Sequence, residues 1–127
     1  MMKWAAFDVL KVIIANLGVE SMKAWVPDVH NAFYELTKIE KYKPFLEGFS
    51  FEPRIGFYFS QKLRIYFENM EESGLLAFES LLELDRYNIT SKMFNDYEKT
   101  KEYFSEEELC VLSEMGKYLG EGEWKAK

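Results

Sequence analysis

Apolar side chains return at three- and four-residue intervals along most of this chain, the period of an α-helix with one buried face. Trp4, Phe7, Leu10, Ile14 and Leu17 make the first such stripe, widened by Val9 and Ile13. Gly18 stands where a left-handed C-cap belongs, so the spacing predicts a helix over residues 3–17. A second stripe of Val29, Ala32, Phe33 and Leu36 follows Pro27, which suits a first helical position, and has to end before Pro44. The period then changes. Phe49 and Phe51, then Ile55, Phe57 and Phe59, alternate around Pro53 and Gly56, the pattern of extended chain running into a tight turn. Ser60 offers an N-cap hydroxyl to a third helix, whose stripe is Leu63, Tyr66, Phe67 and Met70 and whose stop is Gly74.

Residues 75–89 are open to two readings. Leu82, Leu84 and Arg86 alternate with Glu83 and Asp85 as in a strand, yet the same letters are good helix formers and no Asn-Gly or Gly-Gly marks a hairpin turn. The alternation favours two short strands. Beyond Thr90 helices resume: Met93, Phe94, Tyr97 and Phe104 face one way, and Ser105 with Glu108 makes a capping box ahead of Leu109, Leu112 and Leu119. No repeat, low-complexity tract or linker divides the chain. Residues 1–120 are therefore expected to form one α+β, mostly helical domain, and residues 121–127 a flexible tail.

Helix, helix, aromatic extended segment, capped helix ending in Gly, then hairpin is the order of a winged-helix domain. Leu17-Gly18, VHNAFYELTK (29–38), FSFEPRIGFYFSQKLRIYFENMEESGLL (49–76) and YNIT (87–90) resemble the bacterial and archaeal YwgA-like proteins and the related, antitoxin-associated Panacea domain. The resemblance covers about residues 10–90. Gly56, Ser60, Leu63, Gly74 and Leu75 match that group's pattern at the start and exit of the third helix. Phe57 stands where the group has Pro, and Lys38 is the only base left of the positive character usual in its second helix. The resemblance implies a winged-helix-like core of helices and a short β-hairpin with added C-terminal helices, and a role as an antitoxin-like or regulatory adaptor.

Composition changes the picture in two ways. A chain of 127 residues with 48% apolar, 17% aromatic and 30% charged residues is globular and large enough to bury a core without disulfide or metal. Cys110 is the lone cysteine and His30 the lone histidine, so no disulfide framework or zinc site is expected, no cofactor is indicated, and the usage fits a reducing, cytoplasmic setting. The apolar WAAFDVLKVIIANL is interrupted by Asp8 and Lys11 and falls short of the ~20 residues of a membrane span, so no membrane association is expected. Charge is uneven along the chain. Residues 1–37 carry three bases and four acids, 38–64 six and three, and 65–127 seven and fifteen, giving −1, +3 and −8 and the total of −6.

Two partner classes follow. Gln61, Lys62 and Arg64 fall in the first turn of the third helix, where a groove-reading helix presents its side chains, and Lys41, Lys43 and Arg54, with Tyr42 and Phe45 among them, suit phosphate contacts; together they predict DNA binding. An ordinary mixed-charge surface helix and a solvated loop account for the same letters without a ligand. A protein partner or a second copy is the alternative, favoured by the −8 of residues 65–127 and by aromatic residues, Phe49, Phe51, Phe57 and Tyr58 among them, that either form an interface or fill the core. His30 lies one residue off its helix stripe and reads as a partly exposed structural histidine. With no nucleophile–base spacing, G-x-G-x-x-G, P-loop or G-x-S-x-G, no enzyme activity is expected.

Overall fold

The computed structural model describes residues 4–81, 84–122 and 124–125. Five α-helices, Ala6–Ala15 (α1), Val26–Leu36 (α2), Gln61–Glu72 (α3), Ser91–Thr100 (α4) and Glu106–Glu121 (α5), combine with five short strands into an α+β fold. The strands are Ser21–Lys23 (β1), Glu52–Arg54 (β2), Phe57–Phe59 (β3), Leu76–Leu81 (β4) and Leu84–Ile89 (β5). β1, β5 and β4 lie in that order in one antiparallel sheet, with Met22, Tyr87 and Phe78 in register across it. β2 and β3 form a separate hairpin whose turn includes Gly56 at φ 85°, a conformation that glycine adopts without strain.

Local chemistry sets most boundaries. The Ser60 hydroxyl accepts the Leu63 amide at the start of α3, Gly74 ends that helix at φ 82°, and Ser105 with Glu108 closes a capping box on α5. α2 stops at Leu36, well short of Pro44, because the next amides bond three residues back: Thr37 to Tyr34, Lys38 to Glu35 and Ile39 to Leu36. The chain unwinds there into tighter turns and a short 3₁₀ segment at Lys43–Leu46. Residues 75–89 form a hairpin; Leu82 and Glu83, two of the residues whose alternation suggested it, lie outside the described residues. β1 was not legible in the sequence, since three residues carry no period and its extended form comes from pairing with β5.

α1 is the central element. Val9, Leu10, Val12, Ile13 and Ile14 are all buried, so the apolar stripe runs most of the way round the helix. α5 crosses its C-terminal end through two glycines. A Cβ on Gly116 would lie 2.5 Å from the Ile13 carbonyl oxygen, and one on Gly120 would lie 1.9 Å from that of Leu17. Only the missing side chains permit this approach. α4 also packs on α1, with Met93 and Thr100 buried, but Phe94, expected on the same inward face, is 44% exposed.

The end of the chain departs from expectation. Trp124, read as part of a flexible tail, is fully buried, and its Nε1–H donates to the Val29 carbonyl at 2.9 Å. Its ring stacks on Phe33 and meets Phe67 edge-on. The Lys23 amide donates to the Trp124 carbonyl at 2.9 Å, and Lys125 bridges to Met22. Burial of a large aromatic surface outweighs the ordering cost of fixing Trp124. Glu123, Ala126 and Lys127 lie outside the described residues.

Two substitutions test this arrangement by urea unfolding followed by circular dichroism. Trp124→Ala is expected to cost about 3–5 kcal/mol, as for a fully buried aromatic, and Gly120→Ala at least about 2 kcal/mol through overpacking. A loss below about 0.5 kcal/mol for Trp124→Ala, the range of surface substitutions, would mean that the C-terminal segment does not hold the core.

Candidate functional site

His30 fixes how α3 leaves the hairpin. Its Nδ1 accepts the backbone N–H of Ser60 at 3.0 Å, and its ring lies parallel to Phe59, centroids 4.9 Å apart. The side chain is buried, not partly exposed as the sequence suggested. Burial, and secondarily the Arg64 guanidinium, hold its pKa down at about 4. The imidazole is therefore neutral near pH 7, and because Nδ1 is the acceptor the ring proton sits on Nε2.

Around it lies a crevice of about 70 Å³ lined by Ala24, Val26, Val29, His30, Arg64, Phe67, Glu68 and Tyr87. On the scale of about 10–15 Å³ per water, it holds a few waters or the end of one apolar side chain. Trp25 and Val26 at the start of α2 are 61% and 40% exposed beside it. Tyr87, in the crevice wall, stacks on Phe67 and meets Phe78, which is 47% exposed, edge-on. The rim is acidic. Glu68 lines the crevice, and Glu71 and Glu68 act on the Tyr87 phenol, whose pKa is raised chiefly by its own burial; the Asp85 carbonyl accepts the Ala24 amide, and its carboxylate accepts the Ser80 hydroxyl at 2.6 Å.

The candidate DNA-reading side chains of α3 are turned to one another. Arg64 Nη1 donates to both carboxylate oxygens of Glu68, at 2.6 and 3.0 Å, and its Nε donates to Gln61 Oε1 at 3.5 Å. Lys62 makes no ion pair among the described residues, and it lines a shallow groove with Gly48, Ser50, Gln61, Ile65 and Tyr66.

The candidate phosphate contacts are also each engaged by a carboxylate. Lys41 pairs with Glu114 of α5 at 2.8 Å, Lys43 with Glu40 at 3.8 Å, and Arg54 with Glu52 at 2.9 Å. Arg54 also lies over the Phe59 ring, 4.7 Å from its centroid. Hydrogen bonds from Lys41 and then from the Tyr42 hydroxyl hold the Glu114 carboxyl below its usual range; burial and the bond to Glu114 push Tyr42 up to about 12.

The candidate interface aromatics divide. Phe49 is buried and packs edge-on against Phe33, so it belongs to the core and is not available to a partner. Phe51 and Phe57 are half-buried; Phe51 leans on Phe33 and Tyr34. Tyr58, 37% exposed, stacks on Tyr34 at 3.9 Å, fastening the β2–β3 hairpin to α2. Trp25, one of the excess aromatics of the sequence, is exposed, whereas sequence reasoning missed Val26 and Phe78 as exposed apolar groups. Phe78 is far from Trp25 and Val26 in the chain, and the pairing of β1 with β5 brings the start of α2 beside the hairpin.

Among the described residues no group of His, Cys, Asp and Glu could hold a metal ion, and no helix is long and apolar enough to cross a membrane. No family model, curated protein or solved structure matches the chain.

The neutral His30 gives stability a pH dependence of known sign. Unfolded, the imidazole binds its proton near its ordinary 6.5; folded, only near 4. Its contribution is complete above pH 6.5 and is lost as pH falls to 4, in total roughly 3 kcal/mol. His30→Asn keeps an acceptor for the Ser60 amide without this titration. Urea unfolding at a series of pH values is expected to show wild type losing stability relative to this variant over that window. Parallel pH profiles would refute the assignment.

Proposed function

We propose that this chain is a non-enzymatic, winged-helix-like protein-interaction module, a regulatory adaptor of the antitoxin-like kind, whose partner is a cationic amphipathic segment of another protein. The winged-helix-like reading draws support from the order α1, β1, α2, α3, β4, β5 with β1 lying beside β5. Residues 37–60 intervene between α2 and α3 where a helix-turn-helix has a short turn. Here the His30–Ser60 bond takes over the work of setting α3.

The observation that carries the choice of partner is the charge on the face formed by α2, α3 and the β4–β5 hairpin. Glu68 lines an apolar crevice flanked by Trp25 and Val26, Glu71 acts on the Tyr87 phenol in its wall, and the one cation among its lining residues, Arg64, is already paired with Glu68. A large apolar side chain flanked by Lys or Arg satisfies both the crevice and its rim. DNA binding through Gln61, Lys62 and Arg64 with Lys41, Lys43 and Arg54 has weaker support. Each of those bases except Lys62 would have to leave a carboxylate before taking a phosphate.

Panning the full chain against a random peptide phage library tests the proposal. Enrichment is expected for peptides carrying Lys or Arg around one large apolar residue, with affinity that falls as salt rises. Trp25→Ser and Glu71→Gln should each weaken the selected peptides by about tenfold or more, in the range of an interface hot spot. Enrichment of acidic or uncharged peptides, or binding indifferent to both substitutions, would overturn it.

A further inference from the structure

A cavity of about 550 Å³ lies between the start of α1 and the end of α4, and it shares no lining residue with the crevice beside His30. Its volume falls within the about 300–1,000 Å³ of small-molecule sites. One wall is aromatic. Trp4 stacks on Phe45 with centroids 4.5 Å apart and on Phe104 at 6.2 Å, and the exposed Tyr103 stands beside them on the 3₁₀ turn that follows α4.

The polar lining is balanced in charge. Each helix brings an acid and a base at D-x-x-K spacing, Asp8 and Lys11 on α1, Asp96 and Lys99 on α4. Asp8 and Lys11 pair with one another at 3.7 Å. Asp96 and Lys99 make no ion pair or side-chain hydrogen bond among the described residues, although the same spacing of acid and base closes at Glu35–Lys38, Glu40–Lys43 and Glu98–Lys101. Thr100 adds a buried donor. The other two threonines, Thr37 and Thr90, donate their hydroxyls to backbone carbonyls, but Thr100, only 3% exposed and in the cavity wall, makes no side-chain hydrogen bond among the described residues. A buried hydroxyl left unpaired is costly, so a polar atom seated in the cavity is its natural partner.

We infer that this cavity binds a small zwitterion with an apolar or aromatic body, of the class of a free α-amino acid such as phenylalanine or leucine. Asp96 takes the ammonium, Lys99 and the Thr100 hydroxyl take the carboxylate, and the aromatic wall takes the side chain. Residues three apart on a helix stand about 5–6 Å apart at Cβ, close enough for both charged ends of one such molecule. A simple anion would meet Asp8 and Asp96 in the same cavity and a simple cation Lys11 and Lys99, whereas a ligand carrying both charges pairs both free groups. The inference is independent of the proposed cationic partner, whose test variants at Trp25 and Glu71 lie outside this cavity.

Isothermal titration calorimetry of the full chain tests it with L-phenylalanine, L-leucine and two analogues that each lack one charge, phenethylamine and 3-phenylpropionate. At least one of the two amino acids is expected to bind with a dissociation constant between about 10 μM and about 1 mM, and both analogues at least tenfold more weakly. Asp96→Asn should weaken the amino acid and phenethylamine and leave 3-phenylpropionate unchanged; Lys99→Gln should do the reverse to the two analogues. Thr100→Val, which keeps the shape and removes the hydroxyl, should weaken the amino acid severalfold without lowering the urea midpoint. No binding of either amino acid up to about 10 mM, analogues that bind as tightly as the amino acids, or a selectivity among the probes unchanged by Asp96→Asn and Lys99→Gln would overturn the inference.

Discussion

The burial of Trp124 is the constraint on which the rest of the arrangement depends. One indole touches Phe33 of α2 and Phe67 of α3 and donates to the Val29 carbonyl, while its own carbonyl receives the Lys23 amide of β1. Two helices and the sheet edge are thus referred to a single side chain. It reaches that position because Gly116 and Gly120 let α5 close on the carbonyl end of α1, which aims the last residues back across the core. The face made by α2, α3 and the β4–β5 hairpin is held from behind, with the His30–Ser60 bond fixing the start of α3 from within.

Electrostatics on that surface is local. Residues 38–64 carry a net +3, but in the fold each of Lys38, Lys41, Lys43, Arg54 and Arg64 stands within 4 Å of a carboxylate, two of them, Glu68 and Glu114, from the acidic residues 65–127. Exposed pairs of this kind add little to stability, on the order of 0–1 kcal/mol each. Their consequence is for recognition, since a segment that is basic along the chain is compensated in space. What remains prominent is apolar surface around the crevice, with Glu71 acting on Tyr87 in its wall, the combination on which the proposed cationic partner rests.

Much of the fold was legible in the sequence because its signals are local. Ser60 and Gly74 delimit α3, Ser105 and Glu108 start α5, and Gly56 makes the turn of the aromatic hairpin, all through bonds or dihedrals within a few residues. What could not be read depends on contacts between distant segments. β1 is a strand only because β5 lies beside it, Trp124 is core only because α5 delivers it there, and His30 is buried only because Phe59 and Ser60 fold over it. Gly116 and Gly120 were not singled out in the sequence, since their role needs α1 opposite. The candidate site was legible in part: Gln61, Lys62 and Arg64 do lie on one exposed turn, and the carboxylates that engage Arg64, Lys43 and Arg54 are their near neighbours in the chain, while Glu114 opposite Lys41 and the crevice come from tertiary structure.

The central claim is that this surface is built for a protein and not for phosphate. Fluorescence anisotropy of a labelled mixed-sequence DNA duplex, titrated with the protein at several salt concentrations, addresses it most directly. The account predicts no saturable binding up to about 100 μM even at low salt, below the reach of ordinary non-specific DNA association. Micromolar binding that weakens linearly in log–log with salt, and that falls on Lys62→Ala or Arg64→Ala, would contradict it.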